Sequence, residues 1–254
     1  MTIDKSRCVD CGACVDACSM GVFRRGEDGV VEARAKPCME CFHCAAACPA
    51  QAVACSHLTA GALYPAPADD PLLRFLQRRR SVRRFTPELP ERAFLQRVLN
   101  ATLYAPSGKN EHANRWTVVL GRQRTDELFR LTLDWAVDAP RYRHLVRLAE
   151  WGRNPVTCGA PCLIVGWNRE DALNPQTDTV IAMTLAEQLL VEAGWGTCWG
   201  GYLRAAARGS AAIRRVLGIP QGCQVVEILL VGRPDGKPYP GIPYRPSAQV
   251  NWVE

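Results

Sequence analysis

Residues 8–18 read CVDCGACVDAC, and residues 38–49 read CMECFHCAAACP. Cys8, Cys11, Cys14 and Cys18 are spaced x2, x2, x3, and Cys38, Cys41, Cys44 and Cys48 repeat that spacing, with Pro49 next. Every cysteine recurs at an offset of 30. Asp10 matches Glu40, Ala17 matches Ala47 and Val22 falls opposite Ala52, so the run is a duplicated unit. Thirteen cysteines stand among 254 residues, eight of them in these two runs. The N-terminus MTIDKSRC has no apolar core of the kind that opens a secretion signal, and no apolar stretch approaches the ~18 residues that span a bilayer. The expectation is a cytoplasmic chain without a membrane segment, in which metal ligation, not a disulfide framework, explains the cysteines.

The spacing has a physical reason. Three cysteines in seven residues let a tight loop wrap three corners of a cubane cluster, and a fourth, three residues on, points away on a short helical turn. Structural zinc takes cysteine pairs separated by a longer arm, which this is not. The stretch resembles the bacterial two-cluster ferredoxins over nearly its whole length. The resemblance implies two [4Fe–4S] clusters, one on Cys8, Cys11, Cys14 and Cys48 and the other on Cys38, Cys41, Cys44 and Cys18. Ser19 departs from that family, which has proline after the fourth cysteine; no ligand is lost. Cys55 lies outside the repeat and is read as a buried thiol. Cross-linking by clusters suits a head of about 60 residues, too small to rest on an apolar core alone.

Composition bounds the remainder. The chain is 48% apolar and 22% charged, as in a folded globular protein and not a disordered one. Residues 1–60 carry 6 basic and 7 acidic side chains, and residues 61–254 carry 25 and 18. The basic residues cluster in one short run and pave no face, so nucleic acid is not an expected partner. Three regions are expected: a two-cluster domain over 1–58, an extended Ala- and Pro-rich connector over 59–71 (TAGALYPAPADDP), and a mixed helix-and-strand domain over 72–254.

Within that last region, residues 71–80 read as helical. Phe94, Leu95, Val98, Leu99, Thr102 and Leu103 form one stripe within 88–105 at helical spacing. Residues 116–121, 162–167 and 223–231 read as strands, and 123–137 as a helix. Thr177 and Asp178 are placed to cap a helix running through Ala193, and Ser210 to cap one running to Leu217. The tail RPDGKPYPGIPYRP is too rich in proline for either element.

Three stretches carry chemistry. Arg78-Arg79-Arg80-Ser81-Val82-Arg83-Arg84-Phe85 combines guanidinium forks with a hydroxyl, a set that can hold a phosphate, although a charge run alone is more often a solvated face. Ala105-Pro106-Ser107-Gly108-Lys109-Asn110 ends a helix and builds a turn that presents donors and an acceptor. Gly194-Trp195-Gly196-Thr197-Cys198-Trp199-Gly200-Gly201-Tyr202 is a glycine-rich loop that lets a flat heterocycle approach the backbone.

In this order, and with CLIVGW, LGIPQGCQVVEILLVGRP and Arg245, these stretches resemble the nitroreductase family of FMN-dependent oxidoreductases over residues 72 to 246. The resemblance implies an α+β, nitroreductase-like FMN-binding fold preceded by the small ferredoxin-like two-cluster domain, working as a homodimer with FMN between subunits. By that match Arg79, Ser81 and Arg83 hold the phosphate and the polar edge of the flavin, and Arg80 contributes backbone contacts. Asn110 lies beside the isoalloxazine ring with Lys109 near it, Gly200 and Gly201 line flavin N5, and Arg245 reaches the phosphate. His112 stands where the family has a glutamine-like residue; it touches flavin or substrate, or is a surface residue.

The implied function is an oxidoreductase. Electrons pass from a low-potential donor, a protein or a reduced nicotinamide, through two [4Fe–4S] clusters to FMN, and on to a small planar acceptor such as a nitroaromatic or quinone. No side chain is expected as a general acid, His57, His112 and His144 included. The segment Trp135–Arg153 mixes aromatics with arginines and reads either as a lid over the flavin or as core tryptophans with solvated arginines. Two other readings stand beside this one: an electron-transfer or redox-sensing protein, and a flavin enzyme of the same fold with other chemistry, such as dehalogenation.

Overall fold

The computed structural model describes residues 1–18, 20–27, 29, 31–33, 38–54, 70–236 and 248–253. The chain divides into two compact units, Met1–Arg79 with Lys237–Glu254, and Arg80–Gly236. The boundaries read from sequence differ from these units: residues 71–79 and the carboxy-terminal stretch are grouped with the first.

The duplicated sequence gives a duplicated backbone. In the first unit β1 (Thr2–Ile3) is followed by α1 (Ala13–Ala17), β2 (Phe23–Arg25) and β3 (Val31–Ala33), then by α2 (His43–Ala47) and β4 (Val53–Ala54). Both helices start after a left-handed residue, Gly12 at φ 79° and Phe42 at φ 58°. Both end at a cysteine in extended conformation, Cys18 and Cys48, whose N–H bonds back to Val15 and Ala45. A non-glycine residue in this region costs about 1–3 kcal/mol, so Phe42 holds that conformation only because its surroundings impose it. β1 pairs antiparallel with β4, and β2 with β3. The core is small: Cys14, Val22, Phe23, Val31, Cys44 and Val53. Farther on, α3 (Pro71–Arg78) begins at the last residue of the expected connector, because Pro71 takes the first helical position and Asp70 Oδ1 accepts from Leu73 N at 2.8 Å. Residues 55–69, which hold Cys55, His57 and most of that connector, lie outside the described residues.

The second unit is built on a four-stranded antiparallel sheet, ordered β5-β6-β8-β7. In chain order its elements are α4 (Arg92–Ala101), β5 (Arg115–Leu120), α5 (Arg122–Val137), α6 (His144–Glu150), β6 (Cys162–Arg169) and α7 (Pro175–Glu192). They continue with β7 (Gly196–Trp199), α8 (Gly201–Gly209), α9 (Ala211–Val216) and β8 (Cys223–Gly232). The central strands β6 and β8 read as continuous apolar runs because both faces are covered. Alternate residues feed two separate cores. Leu163, Val165, Ile228 and Leu230 pack with Leu128, Leu145, Leu203 and Ile213 from α5, α6, α8 and α9. Cys162, Ile164, Leu229 and Val231 pack with Leu95, Val98, Met183, Ala186 and Leu190 from α4 and α7. The result is a three-layer α+β body.

Several expectations need adjusting. The stripe over 88–105 forms a helix only at Arg92–Ala101, then a 3₁₀ turn at Thr102–Tyr104. That change of pitch leaves Leu103 exposed while Leu95, Val98 and Thr102 stay buried. The α7 helix starts at Pro175 after Asn174, so Thr177 and Asp178 lie inside its first turn and do not cap it. Ser210 caps α9 as expected, accepting from Ile213 N. The glycine-rich stretch is not a loop: Gly196–Trp199 is the edge strand β7 and Gly201 opens α8.

Candidate functional site

In the head the cysteines surround volume. One hollow, open to solvent, is lined in part by Cys8, Cys11, Cys14 and Cys48, and a second in part by Cys18, Cys38, Cys41 and Cys44. Among the described residues no three His, Cys, Asp or Glu side chains converge as they would on a single ion. Backbone N–H groups already point at several sulfurs: Val22 N to Cys18 Sγ at 3.3 Å, Ala52 N to Cys48 Sγ at 3.2 Å, and Glu40 N to Cys38 Sγ at 3.3 Å. Such donors stabilise thiolate charge. Burial pushes the Cys14 thiol up to about 11 and Cys44 up to about 12, so ionising these thiols needs a cation to offset it, as bound iron does. Sulfur-only donors around a volume fit a cubane cluster.

Four of the body's candidate residues meet at the β7 edge of the sheet. Ser81 forms a parallel bridge with Thr197, and Val82 N donates to Thr197 O at 2.8 Å. Arg83 Nη1 lies 3.4 Å from Ser81 O. Gly200, at the end of the same strand, donates its N–H to Ile228 O at 2.7 Å. Nothing stands within 4 Å of where a Cβ on Gly201 would lie, so the backbone at the first turn of α8 is open to approach. Ser81, Arg83, Gly200 and Gly201 are thereby brought to one edge. Arg79 ends the first unit and Arg80 begins the second. Arg245 lies outside the described residues.

Asn110 sits in a strained turn. Lys109, Asn110 and His112 have φ of 50°, 57° and 44°, and none is glycine. Ser107 Oγ accepts from His112 N at 3.0 Å, and His112 Nε2 lies 2.8 Å from Asn110 Oδ1. His112 therefore meets the candidate asparagine itself. Backbone strain of this kind persists where the surroundings over-determine it, and it concentrates at ligand sites.

Sequence reasoning missed what holds these parts. Asp178 and Glu187, both 4% exposed on α7, are buried carboxylates. Asp178 accepts from Gly108 N at 3.1 and 3.2 Å. Glu187 accepts from Thr197 Oγ1 at 2.8 Å and Trp199 Nε1 at 3.1 Å. The available signal was a glutamate amid the apolar run of a buried helix. In the Trp135–Arg153 segment, Trp135 and Tyr142 pack against the first core with ring centroids 4.9 Å apart, and His144 Nε2 lies 3.4 Å from Tyr202 Oη. Trp151, by contrast, is 64% exposed. Cys198 is buried in that core.

With this geometry in view, comparison places the chain. The profile of the nitroreductase family matches residues 76–233, and that of the 4Fe-4S dicluster domain matches residues 7–52. The chain belongs to the nitroreductase family of flavin-dependent oxidoreductases and carries a 4Fe-4S ferredoxin-type domain at its amino-terminal end. A ferredoxin of Methanothermococcus thermolithotrophicus is 40% identical over 55 residues, 21% of this chain and 92% of that protein. A nitroreductase with bound FMN from Desulfitobacterium hafniense superposes with a TM-score of 0.61 at 25% identity, covering 72% of this chain and 97% of that one. One from Bacteroides fragilis, also with bound FMN, superposes with a TM-score of 0.60 at 21% identity, covering 73% and 100%. No helix among the described residues is long and apolar enough to cross a membrane.

Proposed function

We propose that the chain is a nitroreductase-type reductase that takes electrons from a low-potential donor, a protein or a reduced nicotinamide, through two [4Fe–4S] clusters to FMN, and reduces a small planar electrophile such as a nitroaromatic or a quinone. When bound, the clusters supply one-electron transfers and the flavin gathers electrons in pairs for an organic acceptor. What carries this reading is the presence in one chain of two cysteine-lined cavities and a nitroreductase body.

The residues take these roles. Cys8, Cys11, Cys14 and Cys48 ligate one cluster, and Cys38, Cys41, Cys44 and Cys18 the other; the lining of the two cavities supports that division. Arg79, Ser81, Arg83 and Arg245 hold the phosphate, and Arg80 contributes its backbone. Asn110 orients the ring, with Lys109 beside it, and Gly200 and Gly201 let it approach the backbone. Functionally we divide the chain into a cluster domain (1–58), a connector (59–71) and a flavin domain (72–254). Exposed apolar side chains, Leu72, Leu76, Trp252 and Val253, support burial against a second copy and hence a homodimer.

The test is preparation without air, followed by assay of iron, sulfide and flavin. About eight irons and one FMN per chain are expected; zinc with no yellow chromophore would end the reading. Cys41→Ser should then slow flavin reduction by a ferredoxin-level donor by more than about ten-fold while FMN stays bound. Unchanged reduction kinetics would remove the clusters from the path.

A further inference from the structure

Helix α7 buries one face, and its two interior carboxylates lie at opposite edges of that face, since about two and a half turns separate Asp178 from Glu187. It is also fixed tightly to the sheet. A Cβ on Gly166 of β6 would lie 2.5 Å from Thr179 Cγ2, so helix and strand approach as closely as the absent side chain permits. Asn168 of β6 and Asn114 strengthen this seam through Thr179 Oγ1, at 2.8 Å in each case, and Asn114 Nδ2 donates to Asp178 O at 3.2 Å.

From this rigid element each carboxylate reaches a different wall of the candidate flavin site. Asp178 takes the N–H of Gly108 and so anchors the strained turn that presents Asn110. Glu187 takes the Thr197 hydroxyl and the Trp199 indole N–H. Thr197 is the residue Ser81 bridges, and Trp199 immediately precedes Gly200. Buried carboxylates are costly to keep, because each gives up its hydration. Such a cost is retained where geometry matters more than stability.

We propose that Asp178 and Glu187 are positioning residues, each setting one wall of the flavin pocket: Glu187 the phosphate side through Thr197 and Ser81, and Asp178 the ring side through Gly108 and Asn110. The inference rests on the FMN reading above, and it assigns the two walls different ligand parts. FMN and riboflavin share the ring, and only FMN carries the phosphate. Gly200, on the ring side, is held independently by Ile228 O, so loss of Glu187 tells through Thr197 and Ser81 on the phosphate and hence on the preference for FMN over riboflavin, whereas Asp178 acts on both ligands alike.

Titration of FMN and of riboflavin into flavin-free full-length protein, with the visible flavin spectrum recorded, tests this. Glu187→Ala is expected to weaken FMN about ten-fold or more and riboflavin less than about three-fold, with Glu187→Gln, which keeps an acceptor for Trp199, restoring most of the loss. Asp178→Ala is expected to weaken both flavins equally and to shift the flavin spectrum, with Asp178→Asn restoring it. Should either alanine variant fail to fold, Thr197→Val removes the hydroxyl that links Glu187 to the phosphate side, and Asp178→Ser withdraws the acceptor from Gly108 N. Equal loss of both flavins on Glu187→Ala, selective loss of FMN on Asp178→Ala, or wild-type affinity in both overturns the assignment. A wild-type protein that binds neither flavin overturns the FMN reading itself, a result distinct from any of these.

Discussion

The head and the body solve the same problem with different means. Among the described residues six buried side chains form the head's core, and all six, Cys14 and Cys44 among them, line the cysteine cavities. Its strands are two or three residues long. The body buries two full apolar cores against opposite faces of one sheet, and its interior thiols, Cys162 and Cys198, are packing residues. In the head, the side chains proposed as ligands also pack in the core; in the body the two uses are separate. A fold of the first kind stands or falls with its metal, while one of the second kind stands on burial and can spend polar groups on a ligand.

The largest expected effect follows directly. Cys44→Ser, or removal of iron with a chelator, should abolish the visible iron–sulfur absorption and open residues 1–54 to limited proteolysis, while the body keeps its thermal transition and its flavin. Both losses arise together because the substitution strikes the core and the ligand set at once. A head that stays protease-resistant without iron would show that its small apolar core suffices, and the comparison would fail. The mirror test lies in the body. Leu163 is fully buried in the first core, and Leu163→Ala should lower the body's stability by about 3 kcal/mol in denaturant melts, leaving the cluster absorption untouched.

The two regions were also unequally legible. The head announced itself through an invariant spacing, because a cubane demands its donors at fixed intervals and tolerates little else. In the body, strands β6 and β8 were visible as apolar runs and Ser210 as a cap, since each reflects a local preference. The edge strand Gly196–Trp199 was not, for its glycines read as a loop; its extended form is imposed by pairing with β8 and the bridge to Ser81. Asp178 was misread as a cap for a related reason. An aspartate near a helix start has two uses, and only the tertiary position of Gly108 decides that its carboxylate turns to the loop. Glu187 could be noticed from sequence as out of place, but its partners lie across a turn that sequence does not measure.

The smallest effect separates the two kinds of cysteine. Burial pushes the Cys162 thiol from an ordinary 9.0 up to about 12. A group whose pKa is raised by folding favours the folded state fully below its unfolded pKa, and that contribution is lost as pH climbs toward the folded value. For Cys162 the window therefore runs from about 9 to about 12, and at pH 10 the loss should be about 1.4 kcal/mol, one pKa unit's worth. Melts of the body at pH 8 and pH 10 should show this decline together with a similar one from Cys158, whose thiol burial also pushes up to about 12, so Cys162→Ala should remove about half of the total at some cost in packing. The head's cysteines should add nothing to it while iron is bound, because their thiolates are formed already and the proton has left with cluster assembly. A head that loosens over the same alkaline window with its iron retained would mean that its buried thiols are still protonated, and so are not ligands.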